Sequence, residues 1–198
     1  EEFVRRLTRI PQICPHFHLS LQSGCGETLK RMNRHYTPED YKQRCELLRK
    51  YFDRPAFTTD VIVGFPGETD EEFEATEKFL EEIHFAEMHV FKYSPRKGTR
   101  AAKMPDQVNE TVKTQRSARL LALGEKMSED YRKLCEKKVL EVLAEEPVSV
   151  DGETFWTGHS REYIKCGIPS DKILSNQVVR CQMTGTKRED FVICEIID

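Results

Sequence analysis

The fold is decided by the stretch Asp60–Phe73, which reads DVIVGFPGETDEEF. Residues 61–63 form a continuous apolar run, a pattern typical of a parallel strand that is covered on both faces. The run ends in Gly-Phe-Pro-Gly, where the two glycines allow a tight turn and the close approach of a ligand. Thr69 and Glu72 have the spacing of a capping box. The stretch therefore predicts a buried strand, a tight turn and a helix.

Similar units flank this stretch. FHLSLQS (17–23) alternates in polarity, which predicts a strand with one polar face. Thr37 followed by Pro-Glu-Asp predicts the start of a helix, AEMHVFKYS (86–94) predicts a third strand, and a long charged helix is predicted over 109–137. Strands that alternate with helices indicate βα units and a parallel sheet.

The pattern changes near residue 137. From there the chain consists of short β-rich runs separated by glycines, which predicts a small antiparallel barrel of about five strands. The predicted fold class is α/β: a partial, open (β/α) barrel over residues 1–137, followed by a small antiparallel, OB-like β-barrel over 138–198. Residues 138–198 hold 7 basic and 11 acidic residues, so this second domain is acidic.

The composition limits the classes of function. With 198 residues and a formal charge of −3, the chain lacks the general positive charge of a nucleic-acid coat. No apolar run approaches the ~20 residues that cross a membrane. The first residues, EEFVRRLTRI, have neither a Met nor the apolar stretch of a signal peptide. A cytoplasmic protein is predicted, and the chain is expected to be a piece of a longer one.

The seven cysteines are an odd number and contain no C-x-x-C pair. A disulfide framework is not expected in a charged chain without a secretory signal, so reduced structural thiols are predicted. The spacing supports no metal or iron–sulfur site within the chain.

Three polar side chains stand at corresponding places of the βα units. Gln22 ends the first predicted strand, Arg34 follows one helix later, and Asp60 enters the second strand. A guanidinium can bind a carboxylate through two hydrogen bonds, while an amide and a carboxylate can bind ribose hydroxyls. The three together suit a nucleoside with an amino-acid tail. The alternative is that Asp60 caps a helix or pairs with an arginine, and that GFPG is only a turn.

Four segments carry a resemblance to a known family. HLSLQSG, LKRMNRHY, DVIVGFPGETDEEF and YSPRKGTRAAKMPDQV resemble, in this order, the later half of the radical SAM core of methylthiotransferases. The β-rich end of the chain resembles their TRAM domain. The run MHVFKYSPRKGTRAAKMPDQV is most similar to the branch that acts on threonylcarbamoyladenosine beside the tRNA anticodon.

The resemblance implies a site for S-adenosylmethionine. Residues of the superfamily that match Gln22, Arg34 and Asp60 contact this cofactor, and the turn Gly64–Glu68 matches the motif beside its adenine. The candidate cofactor-binding residues are Gln22, Ser23, Arg34, Asp60, Ile62, Gly64, Glu68 and Phe91. No catalytic residue and no metal ligand is assigned to this chain.

A second group of candidates concerns the substrate. The segment after the third strand is basic and rich in turn residues, and it could bind phosphates or the modified adenosine. His18 shares the polar face of Gln22. The alternative for the segment is a solvated loop with ordinary surface charge. The candidate substrate-binding residues are His18, Tyr93, Ser94, Arg96, Lys97 and Thr99.

The resemblance also shows what this chain lacks. Family members hold iron–sulfur clusters with cysteines, including a C-x-x-x-C-x-x-C loop, and these ligands are not in the sequence. The implied function is therefore that of the C-terminal fragment of a tRNA methylthiotransferase that is inactive alone. The implied partners are the tRNA anticodon stem-loop, S-adenosylmethionine, a low-molecular-weight sulfur donor and an electron donor, with no membrane. The alternatives are a ribosomal-protein methylthiotransferase and a non-catalytic RNA-binding module.

Overall fold

A computed structural model describes residues 1–136 and 138–197. The chain divides into two compact units. We call them the sheet unit (Glu1–Ile10 and Phe17–Glu129) and the barrel unit (Pro11–His16 and Asp130–Asp198). The predicted domain boundary at residue 137 lies outside the described residues.

The helices and strands follow the predicted alternation in the first part of the chain and a run of strands in the second. Helices and strands are α1 (Glu2–Leu7), β1 (His16–His18), α2 (Gly26–Arg31), α3 (Pro38–Tyr51), β2 (Ala56–Val63), α4 (Asp70–Ile83), β3 (Glu87–Lys92), a short 3-10 helix (Ala101–Lys103), α5 (Glu110–Cys135), β4 (Val139–Val150), β5 (Glu153–Ser160), β6 (Lys165–Pro169), β7 (Gln177–Arg188) and β8 (Phe191–Ile196).

Two capping boxes begin the helices on either side of β2, where the sequence predicts a helix start at Thr37 and a capping box at Thr69. The Thr37 hydroxyl accepts a hydrogen bond from the Asp40 N–H, and the Asp40 carboxylate accepts one from the Thr37 N–H. Thr69 and Glu72 form the same pair at the start of α4. These side chains satisfy backbone donors that the first turn of a helix leaves free, and they fix where each helix leaves its loop.

The sheet unit contains a three-stranded sheet of order β1-β2-β3, in which β2 and β3 are parallel. The α/β fold with a parallel sheet is thus confirmed. The described residues form a three-stranded sheet here and not a barrel. The core lies between this sheet and the helices, where Tyr41 and Cys45 of α3 belong to the same hydrophobic cluster as Phe73 and Leu80 of α4.

One face of β2 is less covered than its sequence predicts. Val61 and Val63 are buried, but Ile62 is only half-buried. Phe91, the neighbour of Ile62 on β3, is 52% exposed. The prediction of a strand covered on both faces is therefore wrong at this end, because the second face is covered at Ala56 and Thr58 but left accessible at Ile62.

The first strand is shorter than predicted. The segment 17–23 is a strand only at its start, and Gln22 forms an isolated parallel bridge with Val61. Between β1 and Gln22, side-chain hydroxyls take the place of backbone hydrogen bonds between the strands. The Leu21 N–H donates to the Thr59 hydroxyl, and the Tyr36 hydroxyl donates to the Leu21 carbonyl. The regular alternation stops where these hydroxyls take the backbone hydrogen bonds.

The barrel unit is a closed barrel of five strands in the order β4-β5-β6-β8-β7. Neighbouring strands of the barrel are antiparallel, except for β6 and β8, which are parallel. The predicted small antiparallel barrel of about five strands is thus found with one parallel seam, so the sheet is mixed. β6 runs in the direction of β4, because each of them is antiparallel to β5. β8 also runs in that direction, because both β4 and β8 are antiparallel to β7. The strands β6 and β8 are therefore parallel where they meet.

Five of the seven cysteines are buried, as expected of structural thiols. Burial raises the pKa of the Cys45 thiol to about 12, which keeps it protonated and unreactive. In the described residues, no helix is both long and apolar enough to cross a membrane.

Candidate functional site

The half-covered face of the three-stranded sheet brings polar and apolar side chains together. The register of β2 and β3 places Asp60 beside His89 and Ile62 beside Phe91. His18, the last residue of β1, and Ser20, two residues later, both contact the Asp60 side chain. Ligands of parallel α/β sheets bind at the carboxyl ends of the strands, and this group lies toward that edge. We call it the polar face: His18, Ser20, Asp60, Ile62, His89 and Phe91.

Asp60 is the charged centre of the polar face. Its Oδ2 lies 3.3 Å from the His18 Nε2 and 3.3 Å from the Ser20 hydroxyl. The side chains of Asp60 and His18 are 30% and 41% exposed, so the carboxylate remains accessible. In the described part of the chain, the partners of this carboxylate are an imidazole and a hydroxyl, and not the arginine of the alternative interpretation.

Gln22 is brought directly beside Asp60. The Gln22 N–H donates to the Asp60 carbonyl at 2.8 Å, and the Gln22 carbonyl accepts from the Ile62 N–H at 2.9 Å. The φ angle of Gln22 is +70°, a conformation that is uncommon for a residue other than glycine and is often found at functional sites. Ser23 is instead buried, and its hydroxyl lies 3.0 Å from that of Thr76. Its hydroxyl is thus used within the fold.

Arg34 lies in the loop that follows α2. The side chain of Arg34 is exposed, and its backbone N–H donates to the Leu29 carbonyl in the last turn of the helix. Two residues later, the Tyr36 hydroxyl donates to the carbonyls of Ser20 and Leu21 at 3.2 and 2.8 Å. The loop that carries Arg34 is therefore attached to the segment that contributes Ser20 to the polar face.

The turn after β2 is held by a buried carboxylate. Gly64 has a φ of +71°, and its N–H donates to the Glu68 Oε1 at 2.8 Å. The same oxygen accepts from the Arg116 Nη1 at 2.6 Å. Burial raises the pKa of Glu68, although the Gly64 N–H and the Arg116 charge oppose this effect. The Glu68 side chain thus faces the interior and shapes the turn, while its predicted contact with a cofactor stays a prediction.

Helix α5 supplies two buried cations, Lys113 and Arg116, which are not among the site residues predicted from the sequence. The Lys113 Nζ donates to the Tyr93 carbonyl at 2.9 Å and lies 5.5 Å from the centre of the Tyr93 ring. Arg116 binds Glu68, as described above, and also Asp70 at 2.7 Å. Both residues lie on a long charged helix where most Lys and Arg side chains face water. No local pattern distinguishes the two that point inward.

The predicted substrate segment begins at the same strand end as the turn, because the Tyr93 N–H donates to the Val63 carbonyl at 2.9 Å. The Tyr93 hydroxyl is buried and has no hydrogen-bond partner among the described residues. The Thr99 hydroxyl donates to the Arg96 carbonyl at 2.8 Å and closes an exposed turn. Ser94, Arg96 and Lys97 are also exposed in this segment.

A half-buried ion pair next to the turn predicts a dependence of stability on pH. The Arg31 guanidinium donates to both carboxylate oxygens of Glu72 and holds the pKa of that carboxyl below its ordinary value of 4.5. A carboxyl whose pKa is lower in the folded state stabilises the fold above its unfolded pKa, and the contribution is lost as pH falls through the folded pKa. We expect Glu72→Gln to remove about 1 kcal/mol at pH 7 and progressively less below pH 4.5. The measurement is the free energy of unfolding in urea between pH 7 and pH 3.

The exposed Glu74 on the same helix provides the control for this prediction. Glu74→Gln should leave the pH profile of the parent chain unchanged. A profile that is equally steep in Glu72→Gln and in the parent would show that the Arg31 pair is not the cause.

The chain is similar to several known proteins. Residues 1–80 match the Radical SAM superfamily. The threonylcarbamoyladenosine tRNA methylthiotransferase MtaB of Bacillus subtilis (strain 168) is 40% identical over 184 residues, which are 92% of this chain and 41% of MtaB. A tRNA-2-methylthio-N(6)-dimethylallyladenosine synthase of Opitutus terrae is 42% identical over 184 residues, 93% of this chain and 38% of that protein. The chain thus spans about two fifths of the length of these relatives.

A solved structure shows a similar fold. Coproporphyrinogen III oxidase (HemN) from Escherichia coli, a radical SAM enzyme, aligns with a TM-score of 0.52 at 18% identity, over 64% of this chain and 29% of that one. The superfamily match includes the strand and turn of Asp60 and Gly64, and the methylthiotransferases align with nearly the whole chain. The chain is thus similar to the radical SAM methylthiotransferases over nearly its whole length, in agreement with its sequence motifs.

Proposed function

We propose that this chain forms part of the S-adenosylmethionine site of an enzyme that adds a methylthio group to the threonylcarbamoyl-modified adenosine of tRNA. The observation that carries the proposal is the polar face. An accessible carboxylate lies there beside two partly exposed apolar side chains, Ile62 and Phe91, and next to a glycine turn. This combination suits an adenosyl group, which has a diol at one end and a flat apolar base at the other.

Asp60, Ile62 and Phe91 of the polar face, together with Gly64 and Arg34, have proposed tasks in holding the cofactor. Asp60 would accept hydrogen bonds from the ribose hydroxyls, since a carboxylate is purely an acceptor. Ile62 and Phe91 would pack against the adenine, and the backbone of the turn at Gly64 would lie beside the base. Arg34 would bind the carboxylate of the methionine part. When bound together with an iron–sulfur cluster, S-adenosylmethionine supplies radical chemistry, and the residues of this chain bind and orient it.

The residues of this chain do not fit a cluster site. In residues 1–136 and 138–197, no group of three or more His, Cys, Asp or Glu side chains is arranged to hold a metal ion. Five of the cysteines are buried: Cys45 in the sheet unit and the other four in the barrel unit. We therefore propose that the cluster ligands come from outside this chain and that the chain alone is inactive.

We propose tRNA as the substrate, and the anticodon stem-loop as the part that is bound. Both relatives described above are named for the modification of tRNA adenosines. The exposed turn that carries Arg96 and Lys97 follows β3 at the edge of the polar face, where cations could bind phosphates. The proposal also includes a TRAM role for the barrel unit, a low-molecular-weight sulfur donor, an electron donor and a cytoplasmic location.

The test is mass spectrometry of tRNA nucleosides from cells that lack the full-length gene. We expect the methylthio derivative of threonylcarbamoyladenosine to disappear and to return with the wild-type gene. The full-length Asp60→Asn variant should fail to restore it, because an amide carries no charge and presents one acceptor fewer to the ribose. Asp53→Asn, at a side chain that is 74% exposed in the loop before β2, is the matched control and should restore the modification.

The outcomes separate the candidate functions. If the modification persists in cells without the gene, the tRNA proposal is wrong, and the same cells would be examined for a methylthio group on ribosomal proteins. If the purified full-length protein binds tRNA with a steep salt dependence but does not bind S-adenosylmethionine, the non-catalytic RNA-binding module is the better description.

A further inference from the structure

We infer that His18 positions the Asp60 carboxylate for its ligand and does not itself contact the tRNA. The inference rests on the proposed function, since it concerns the same cofactor site. It replaces the assignment of His18 as a substrate-binding residue, which followed from its place on the polar face alone.

The hydrogen bonds of His18 define the state of its ring. A carboxylate can only accept, so the contact of 3.3 Å between the Nε2 and the Asp60 Oδ2 requires a hydrogen on the Nε2. In the neutral ring with its hydrogen on the Nε2, the Nδ1 is an acceptor, and the Thr58 hydroxyl lies 3.0 Å away, where it can donate to the Nδ1. The contact with the buried Thr58 holds the orientation of the imidazole.

Both ring nitrogens of His18 are therefore occupied within the fold. The Nε2 lies toward Asp60 and toward the Ser20 hydroxyl at 3.2 Å, and the Nδ1 lies toward Thr58. A nitrogen that already has a partner gains little from a second ligand, and breaking its bond would leave the partner unsatisfied. This arrangement favours a supporting role for His18 over direct recognition of a substrate.

The two supporting contacts converge on one oxygen of Asp60. His18 and Ser20 both donate to the Oδ2. The Oδ1 has no hydrogen-bond partner in the described part of the chain, so it is the oxygen that remains for a ligand. A carboxylate held through one oxygen presents the other in a defined direction. Such orientation lowers the cost of binding a diol, because the side chain no longer has to be ordered when the ligand arrives.

Two substitutions of His18 separate its two hydrogen bonds. The side-chain amide of His18→Gln can take the place of the Nε2 and donate to Asp60, whereas that of His18→Asn reaches only the position of the Nδ1, next to Thr58. Binding of radiolabelled S-adenosylmethionine to the full-length protein is measured by equilibrium dialysis. We expect a Kd close to that of the wild type for His18→Gln. For His18→Asn we expect a Kd about five times higher, because a half-exposed hydrogen bond to a charged group is lost.

Asp60→Asn and the double variant complete a cycle. Asp60→Asn should raise the Kd about 10- to 100-fold. Adding His18→Asn to it should then have no further effect, because the group that His18 positions is gone. His84→Asn is the matched control, since His84 at the end of α4 is not part of the polar face and has a φ of +61° that asparagine tolerates, and its substitution should leave the Kd unchanged.

A measurement without ligand tests the positioning itself. The carboxyl carbon of Asp60 should change its NMR chemical shift in His18→Asn and keep it in His18→Gln. The inference is overturned if the two His18 variants bind equally well, if their effects add to that of Asp60→Asn, or if the carbon shift is insensitive to His18. If Asp60→Asn binds normally, the proposed cofactor site is wrong, while the carbon shift still decides whether His18 orients the carboxylate.

Discussion

Replacing Gly158 by alanine is expected to disrupt the barrel unit and to lower its free energy of unfolding by more than about 4 kcal/mol. A Cβ on Gly158 would lie 1.8 Å from the Leu143 carbonyl oxygen and 2.8 Å from its carbon. Gly158 pairs with Ala144, and the register of β4 and β5 shifts between Ala144 and Glu146, which brings the backbone of β4 against this position. A backbone atom cannot rotate away as a side chain can, so the two strands must separate.

The single tryptophan makes the measurement specific. Trp156 lies in β5, two residues before Gly158, and is buried. Its fluorescence therefore follows the barrel unit during urea unfolding. Gly152→Ala is the matched control: its φ of +84° is strained for alanine, but a Cβ there meets nothing within 4 Å. We expect a loss of about 1 to 2 kcal/mol for this control. Equal losses in the two variants would contradict the steric explanation.

Removing the guanidinium of Arg116 is expected to destabilise the sheet unit by about 3 to 5 kcal/mol, because it leaves the buried Glu68 carboxylate without its countercharge. The Arg116 Nη1 binds both the Oε1 and the carbonyl of Glu68, at 2.6 and 3.1 Å. Both side chains are almost fully buried. In Arg116→Met, the Gly64 N–H would remain as the only described donor to that carboxylate.

Two further variants distinguish the buried pair from ordinary surface charge. Asp70 binds the same guanidinium but is 84% exposed, so Asp70→Asn should cost less than about 1 kcal/mol. Glu68→Gln combined with Arg116→Met removes both charges, and it should recover part of the stability that Arg116→Met loses. Urea unfolding followed by far-UV circular dichroism measures these effects. A double variant that is less stable than Arg116→Met would show that the charge of Glu68 is not the source of the loss.

The fold could be predicted where its signals are local. The caps at Thr37 and Thr69 and the alternation of apolar runs with amphipathic segments depend on residues within a few positions of each other. The early end of β1 depends instead on the hydroxyls of Tyr36 and Thr59, which are distant in sequence. The parallel seam between β6 and β8 likewise depends on the order in which strands meet, and strand patterns do not encode that order.

The candidate site could be predicted in part for the same reason. Motif resemblance selected Asp60, and the structure places Gln22 beside it. The contacts of His18 and Ser20 with the Asp60 carboxylate span about 40 residues of chain, so no sequence spacing suggests them. Arg116 could not be identified either, because its place on a charged helix resembles that of its solvent-exposed neighbours.

The buried hydrogen bonds that hold the turn after β2 have a consequence for ligand binding. The buried Glu68 carboxylate accepts a hydrogen bond from the Gly64 N–H on the core side of the loop. Contacts within the protein therefore maintain the shape of the loop, and a bound ligand does not have to supply them. An adenosyl group that binds there would meet a rigid surface and would lose little affinity to conformational entropy. The discrimination between cofactors would then come from steric fit, which a flexible loop cannot enforce.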